Sequence, residues 1–240
     1  MKPLYKRTWF ILTACILSAA LIAGVILYFA LLLPRQREQA AWEEAVRQYR
    51  QAKLTQYAAE NNAYADYQVE VAFLGDSLTD GYDLATYYPQ YITVNRGIGG
   101  DTTYDLENRL QISAYDLKPQ VIVMLIGANN FDTMLCNYES ILMGLQENLP
   151  DTKVVLLSLT AMGGEHWGKN NAKAAYNNVT IQLLAQKYGY TYVDLFSPLY
   201  DVSTGEVCQG YTTDGGHFTP KGYEVVTAHI TPVLQELLGK

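Results

Sequence analysis

One serine of this chain stands where a nucleophile would need to stand. Ser77 lies in the run G-D-S-L-T-D-G at residues 75–81, directly after an apolar segment. A nucleophilic serine needs an exposed hydroxyl, and its own backbone N–H must face the oxyanion that its attack creates. A serine at such a point can instead be the N-cap of a helix. The run by itself leaves both interpretations open.

An aspartate and a histidine near the C-terminus have the spacing of an acid–base pair. Asp214 precedes His217 by three residues in the run D-G-G-H. Across a tight turn the carboxylate can reach one imidazole nitrogen, which leaves the other nitrogen free as a general base. A zinc site is the alternative, but the other two histidines, His166 and His229, and the isolated cysteines supply no further ligands. We therefore predict neither a metal nor a cofactor.

Two other runs offer hydrogen-bond donors. Residues 95–103 read N-R-G-I-G-G-D-T-T, and residues 127–130 read G-A-N-N. Glycines let a backbone approach a ligand closely and present its N–H groups, and Asn129 adds a neutral amide. A phosphate cradle is the alternative for the glycines. The run has neither the Lys-Ser/Thr of a P-loop nor the spacing of a dinucleotide fingerprint.

The elements that carry these runs alternate between β-rich and helical segments from Gln68 onward. This alternation predicts a parallel sheet with helices on both faces, in which functional loops follow the carboxyl ends of the strands. The four runs fall at such loops. The candidate strands are 69–74, 91–95, 121–126, 154–159 and 191–195, and the candidate helices lie near 102–114, 137–149, 170–188 and 220–238.

Taken together, the four runs resemble the motif blocks of the GDSL-type, or SGNH, hydrolase family, which is named for its Ser, Gly, Asn and His. The resemblance covers about residues 68–238 and includes the order and approximate spacing of the blocks. It implies a flavodoxin-like, three-layer α/β/α domain with a central five-stranded parallel sheet. It also implies that Ser77 is the nucleophile, that His217 is the base and that Asp214 orients His217.

The same resemblance implies three donors for the oxyanion: the backbone N–H groups of Ser77 and Gly100 and the side chain of Asn129. Gly100 is preferred to Gly99 because the donor glycine of the family directly precedes the aspartate of its block. Asn130 is a departure, since many members have Asp there. The platelet-activating-factor acetylhydrolase-like branch also has Asn at this point and a similar G-I-G-G-D-T-T run, which favours short acyl groups.

The resemblance implies a serine esterase that cleaves short-chain acyl or acetyl esters through an acyl-enzyme, with cell-envelope carbohydrate as one candidate carrier of the ester. Two alternatives are an acyltransferase on the same fold and a membrane-tethered binding domain without turnover. His166 and Trp167 follow the fourth predicted strand and are candidates for substrate contact. No long apolar lid is visible, which argues against a long-chain lipase.

The N-terminal part of the chain reads as a membrane anchor. Residues 9–33 carry no charge, and at ~1.5 Å per residue they make ~37 Å of helix, more than the hydrocarbon core of a bilayer requires. A cleaved signal peptide is the alternative, although its apolar region is usually only ~7–15 residues long. We expect a basic tail at 1–8, an anchor at 9–33, a juxtamembrane helix or linker at 34–66 and the hydrolase domain at 67–240. A small excess of Lys/Arg before the anchor favours an extracytoplasmic catalytic domain in a bacterial cell envelope.

Charge and cysteine content bound the remaining functions. Residues 1–66 carry eight Lys/Arg and five Asp/Glu, whereas residues 67–240 carry nine and nineteen. The acidic domain lacks the basic groove that a nucleic-acid-binding protein needs, so we expect no nucleic-acid partner. The partners that the resemblance and the anchor imply are a small-molecule or glycan ester substrate and, through residues 9–33, the lipid bilayer. Cys136 and Cys208 are predicted to lie in loops at the catalytic edge of the sheet, where the sequence leaves open whether they form a disulfide or stay unpaired.

Overall fold

The computed structural model describes residues 4–240 of the chain. They form two compact units, the first ending at Ala52 and the second comprising Lys53–Lys240. Residues 1–3 of the predicted basic tail lie outside the described residues, and the rest of that tail belongs to the first helix, α1, which begins at Leu4.

The first unit is helical. Helix α1 spans Leu4–Leu27, a π-helical turn covers Tyr28–Leu32, and α2 spans Leu33–Asn61. The π-helical turn ends two residues before Pro34, whose missing N–H and bulky ring disturb the regular hydrogen bonding of a helix. By length and composition, the helical segment Thr8–Asn61 could cross a bilayer. It is the one candidate of this kind among the described residues. A signal sequence would pass the same test.

The second unit contains the predicted parallel sheet of five strands, in the order β2-β1-β3-β4-β5. Its neighbouring strands are all parallel, and the prediction of fold class is confirmed. A two-stranded antiparallel hairpin, β6 and β7, was not predicted. The strands are β1 Val71–Gly75, β2 Thr93–Gly97, β3 Val121–Leu125, β4 Lys153–Leu157, β5 Thr191–Val193, β6 Tyr200–Asp201 and β7 Glu206–Val207.

Helices cover both faces of the sheet, and the chain marks several of their ends. Thr102 caps α5 in a capping box with Asp105, and Thr219 caps α10 with Pro220 at its first position. The predicted helix near 102–114 is divided at Arg109, where φ is −114°. The helices of this unit are α3 Ser77–Asp80, α4 Leu84–Tyr87, α5 Thr103–Asn108, a π-helical turn Gln111–Tyr115, α6 Leu135–Asn148, α7 Gly164–Trp167, a 3₁₀ turn Gly168–Asn170, α8 Asn171–Tyr188, α9 Phe196–Leu199 and α10 Pro220–Leu238.

Alternate residues of the central strands feed two apolar cores, one on each face of the sheet. In β1, Ala72 and Leu74 pack with residues of α5, α6 and α8, while Val71 and Phe73 pack with residues of α4 and α10. Strands buried on both faces are typical of parallel sheets. The two cores fix the carboxyl ends of β1, β3 and β4, from which the loops of the predicted site leave.

The second unit begins at Lys53, whereas the sequence predicts the domain to begin at residue 67. The difference arises because the last turns of α2 pack on the end of β2. Tyr57 is buried, and its hydroxyl donates to the carbonyl of Gly97 at 2.5 Å. The fully buried guanidinium of Arg96 lies 4.6 Å from the centre of the Tyr57 ring and forms a 2.5 Å ion pair with Glu60. Trp42, in an earlier turn of α2, is by contrast 70% exposed.

Candidate active site

Ser77 is the first residue of α3, directly after β1. The N-cap of this short helix is Asp76, whose carboxylate accepts from the N–H of Leu78 at 3.1 Å. The alternative interpretation of Ser77 as an N-cap is therefore wrong, because its neighbour caps the helix. Glycine is required at position 75, where a Cβ would collide with the side chain of Thr79 and the carbonyl of Leu125.

The structure brings Ser77, His217 and Asp214 together in one chain of hydrogen bonds. The Oγ of Ser77 lies 3.0 Å from Nε2 of His217, and Nδ1 of His217 lies 2.8 Å from Oδ2 of Asp214. Partial burial raises the pKa of Asp214, but the hydrogen bonds from the backbone and ring of His217 and from the N–H of Gly216 outweigh it and hold this pKa below its usual range. Asp214 is therefore ionised over the whole neutral range.

Two loops hold the Asp214–His217 turn in place. The N–H of Gly163, in the loop after β4, donates to the carbonyl of Gly215 at 2.8 Å. Gly215 has a φ of +90°, and a Cβ there would collide with the carbonyl of Gly163. The position of His217 therefore depends on two glycines in two separate loops.

The two remaining predicted donors belong to loops that are bonded to each other. Gly100 follows β2 with a φ of +82°, in the left-handed region that favours glycine. The Nδ2 of Asn129 donates to the carbonyl of Asp101 at 2.9 Å. An amide nitrogen has two hydrogens, so Asn129 can fix the loop with one and offer the other to a ligand.

Asn130, where many family members have Asp, has a structural role here. Its Nδ2 donates to Oγ1 of Thr103 at 2.9 Å, and its Oδ1 accepts from the N–H of Thr103 at 3.3 Å. An ionised carboxylate at this position could accept from the N–H of Thr103 but could not donate to its Oγ1. The amide therefore ties the loop after β3 to the start of α5.

A buried arginine that the sequence analysis did not single out links the loops of Ser77 and Gly100. Arg109 is 4% exposed. Its Nε donates to Oδ2 of Asp101 at 2.6 Å, and its Nη2 donates to the carbonyl of Gly75 at 2.9 Å. The planar guanidinium can serve both partners at fixed angles. The one signal in the sequence is that Arg109, a charged residue, stands within the predicted helix near 102–114 at a position where the helical pattern predicts a buried side chain.

Trp167 lies beside the Ser77–His217 pair, and His166 lies next to Trp167. The Trp167 ring meets the His217 ring edge to face, with 5.8 Å between centroids and 88° between planes. A Cβ at Gly216 would collide with the indole, so the glycine makes room for it. His166 is exposed and packs edge to face on Trp167 at 4.9 Å.

Three neighbouring cavities lie in this region. The serine cavity, about 20 Å³, is formed between Ser77, His217 and Met162. The asparagine cavity, about 340 Å³, is lined by Asn129, Asn130, Asn170, His166 and Trp167 among others. The tyrosine cavity, about 370 Å³, is lined by Tyr176, Leu135, Phe131 and Lys173 among others.

All three cysteines lie in the described part of the chain, and each has a free thiol. Cys136 is exposed in the first turn of α6, not in a loop as the sequence predicted. Cys208 follows β7. Within residues 4–240, no group of three or more His, Cys, Asp or Glu side chains could hold a metal ion.

Asp76 is a buried carboxyl next to Ser77 in the chain. It is 1% exposed, and its Oδ2 has no hydrogen-bond partner within the described residues. Burial raises the pKa of Asp76 to about 7, and the nearby carboxylate of Asp101 adds to the rise. Hydrogen bonding from the N–H of Leu78 and the charge of His217 oppose it. Asp76 is therefore protonated in a large part of the molecules near neutral pH.

This shift predicts a pH-dependent stability. Since folded Asp76 titrates near pH 7 and an unfolded Asp near 3.8, the folded state holds more protons between these values. Its contribution to the free energy of unfolding is full below pH 3.8 and is lost as the pH rises through 7. We expect Asp76→Asn to flatten this slope, measured as unfolding temperature from pH 4.5 to 8. Asp151→Asn, at an exposed position, is the control; equal slopes in both variants would contradict the prediction.

Comparisons with known proteins agree with this geometry. Residues 73–225 match the family model of the GDSL-like lipase/acylhydrolase family. A Streptococcus pneumonia structure described as a platelet activating factor is 26% identical with a TM-score of 0.74, over 83% of this chain and 99% of the other. A GDSL-like lipase from Bacteroides thetaiotaomicron is 24% identical with a TM-score of 0.68, over 76% and 97% of the two chains. A search of curated proteins found no match.

The chain therefore belongs to the GDSL-like lipase/acylhydrolase family, because the family model covers more than half of its length. The resemblance seen in the four sequence runs is confirmed, and with it the enzyme class, a GDSL/SGNH esterase. The roles of the individual site residues stay predictions.

Proposed function

We propose that the chain is a membrane-anchored serine esterase that removes short acyl groups, acetyl above all, through a covalent acyl-enzyme. The observation that carries the proposal is the hydrogen-bond chain from Ser77 through His217 to Asp214. Membership of an acylhydrolase family supports it. A serine becomes nucleophilic when an oriented base accepts its proton. The hydrogen bonds place the three residues in the order that such activation requires: serine, histidine, aspartate.

In the proposed mechanism, Oγ of Ser77 attacks the ester carbonyl while Nε2 of His217 takes its proton. The negative charge that develops on the carbonyl oxygen is met by the N–H groups of Ser77 and Gly100 and by the Nδ2 of Asn129. His217 then gives the proton to the leaving alcohol. Water, activated by the same nitrogen, attacks the acyl-enzyme and releases the acid and Ser77. Asp214 stays ionised throughout and stabilises the imidazolium.

The size of the serine cavity favours an acetyl group. Its volume of about 20 Å³ is far below the ~300–1,000 Å³ of ordinary small-molecule sites, which supports a short acyl group. An acetyl xylan esterase from Geobacillus stearothermophilus shares the fold, at 19% identity and a TM-score of 0.58. The activity in its name, removal of acetyl groups from xylan, agrees with a short acyl group on a carbohydrate, which is the substrate class that we propose for this chain.

We expect 4-nitrophenyl acetate to be hydrolysed with a kcat/KM at least about tenfold above that of the butyrate, since added methylenes in a filled cavity cost about 1–3 kcal/mol. Met162→Ala removes one wall of the serine cavity and is expected to reduce this difference. Its unfolding temperature is measured in parallel to show that the variant is folded. Equal or higher activity on the butyrate with the parent enzyme would contradict the acetyl preference.

We also propose that the apolar helix anchors the enzyme in the membrane with the catalytic domain outside the cytoplasm. The full chain is expected to stay with membranes after a carbonate wash. A chain that begins at Lys53, where the second compact unit begins, is expected to be soluble and active. A mature protein recovered with its N-terminus between Ala20 and Pro34 would instead identify a cleaved signal peptide.

A further inference from the structure

The three cavities beside Ser77 share lining residues, and we call this row of cavities the groove. The serine and asparagine cavities share Ala128, Asn129 and Trp167. The asparagine and tyrosine cavities share Phe131, Asp132 and Lys173. The two larger cavities are each of the size of ordinary small-molecule sites. A substrate that reacts at Ser77 therefore has a bounded path that ends at Tyr176.

The lining of this groove combines amides with aromatic rings. Asn129, Asn130 and Asn170 face the asparagine cavity, and Trp167 closes its end toward Ser77. Tyr176 stands in the tyrosine cavity with 72% of its surface exposed. Amides satisfy the hydroxyl groups of a ligand, while aromatic rings pack on apolar faces. Sugar rings present both kinds of surface, whereas an alkyl chain offers no hydroxyl group to the amides.

The charges in the groove favour a neutral ligand. Lys173 and Asp132 form an ion pair of 2.7 Å across the wall that the two larger cavities share. Their charges cancel. An anionic or cationic glycan would find no uncompensated partner in this pair.

From the shared walls, the amide and aromatic lining and the balanced charge, we infer that this groove is an extended subsite for a neutral, O-acetylated oligosaccharide. The sugar unit that carries the acetyl group lies in the asparagine cavity, and the next unit packs on Tyr176 in the tyrosine cavity. Tyr176 and Asn170 are substrate-binding residues in this assignment. It rests on the proposed esterase function and adds the part of the substrate beyond the ester.

The test compares acetate release from O-acetylated sugars of one to four units, in the xylo-, cello- and chito-oligosaccharide series, with hydrolysis of 4-nitrophenyl acetate. The full-length enzyme in detergent is used. We expect kcat/KM to rise about tenfold from one to two units in at least one series. Tyr176→Ala is expected to remove this rise, through a higher KM for the two-unit sugar. Asn170→Ala is expected to raise KM for the one-unit sugar as well.

Leu183→Ala is the matched control, because Leu183 is 58% exposed on the same helix as Tyr176, α8. Leu183 does not line the asparagine cavity or the tyrosine cavity in the described part of the chain. It should leave both activities unchanged. Equal kcat/KM for one and for two units in all three series would overturn the inference. So would a rise from acetyl to octanoyl aryl esters that Tyr176→Ala removes, since that result would place an acyl chain in the groove. Failure of the parent enzyme on 4-nitrophenyl acetate and on every sugar would instead reject the esterase function.

Discussion

Ser77→Ala is expected to lower kcat on 4-nitrophenyl acetate by about 10⁴–10⁶-fold, because no acyl-enzyme can form without its hydroxyl. KM is expected to change little, since the small side chain contributes little to ground-state binding. The same variant should not react with a serine-directed fluorophosphonate probe. Steady-state kinetics and gel fluorescence after labelling measure both effects.

The control for this experiment is Ser203→Ala. Ser203 is exposed in the turn between β6 and β7, and its hydroxyl bonds to Asp201. The control should keep the kcat and the labelling of the parent enzyme. Labelling of Ser77→Ala at the parent rate would show that another residue is the nucleophile, and the proposed mechanism would then be wrong.

His217→Ala is expected to lower kcat by nearly the same factor as Ser77→Ala, since the two residues act as one unit and the loss of either removes the same reaction path. Asp214→Ala should cost about 10–100-fold less, because the backbone carbonyl of His217 still accepts from the N–H of Thr213 at 2.8 Å and a histidine held there keeps part of its basicity. Kinetics of the two variants on 4-nitrophenyl acetate give the ratio directly.

His166→Ala separates the base from its neighbour. Both histidines lie near Trp167, but only His217 is bonded to Ser77. The His166 variant should retain kcat on the aryl acetate within about a factor of three. A loss as large as that of His217→Ala, in a variant with the parent unfolding temperature, would place His166 in the chemical step and require a different assignment of the base.

Local sequence predicted the strands and helices of this domain well, and it indicated candidate residues for the site. The order of strands and helices follows from hydrophobic patterns, and the start of α10 follows from Thr219 and Pro220. Ser77, Asp214 and His217 could be found because each stands in a short run with glycines that only a tight turn explains. These features need no knowledge of which distant segments meet.

The contacts that hold the site together could not be predicted in the same way. Arg96 and Arg109 are charged yet buried, because each has a partner that is distant in the sequence. Arg96 pairs with Glu60, 36 positions before it, and Arg109 donates to the carbonyl of Gly75, 34 positions before it. Tyr57 gave no signal for the same reason, since its hydrogen bond joins residues forty positions apart. The start of the compact unit at Lys53 depends on these contacts. Tyr57 and Glu60, which make two of them, lie before residue 67, where the sequence predicts the domain to begin.

The guanidinium of Arg109 makes two sequence blocks inseparable in protein engineering. It bonds the residue before the Asp76–Ser77 turn and the residue after Gly100 at once. A loop from another esterase grafted onto residues 97–103 would lose its hydrogen bond to Arg109 unless it kept an aspartate at position 101. Loop exchange among such enzymes is therefore expected to succeed when the exchanged protein contains both the aspartate and the arginine, even though the two residues lie in different elements of the chain.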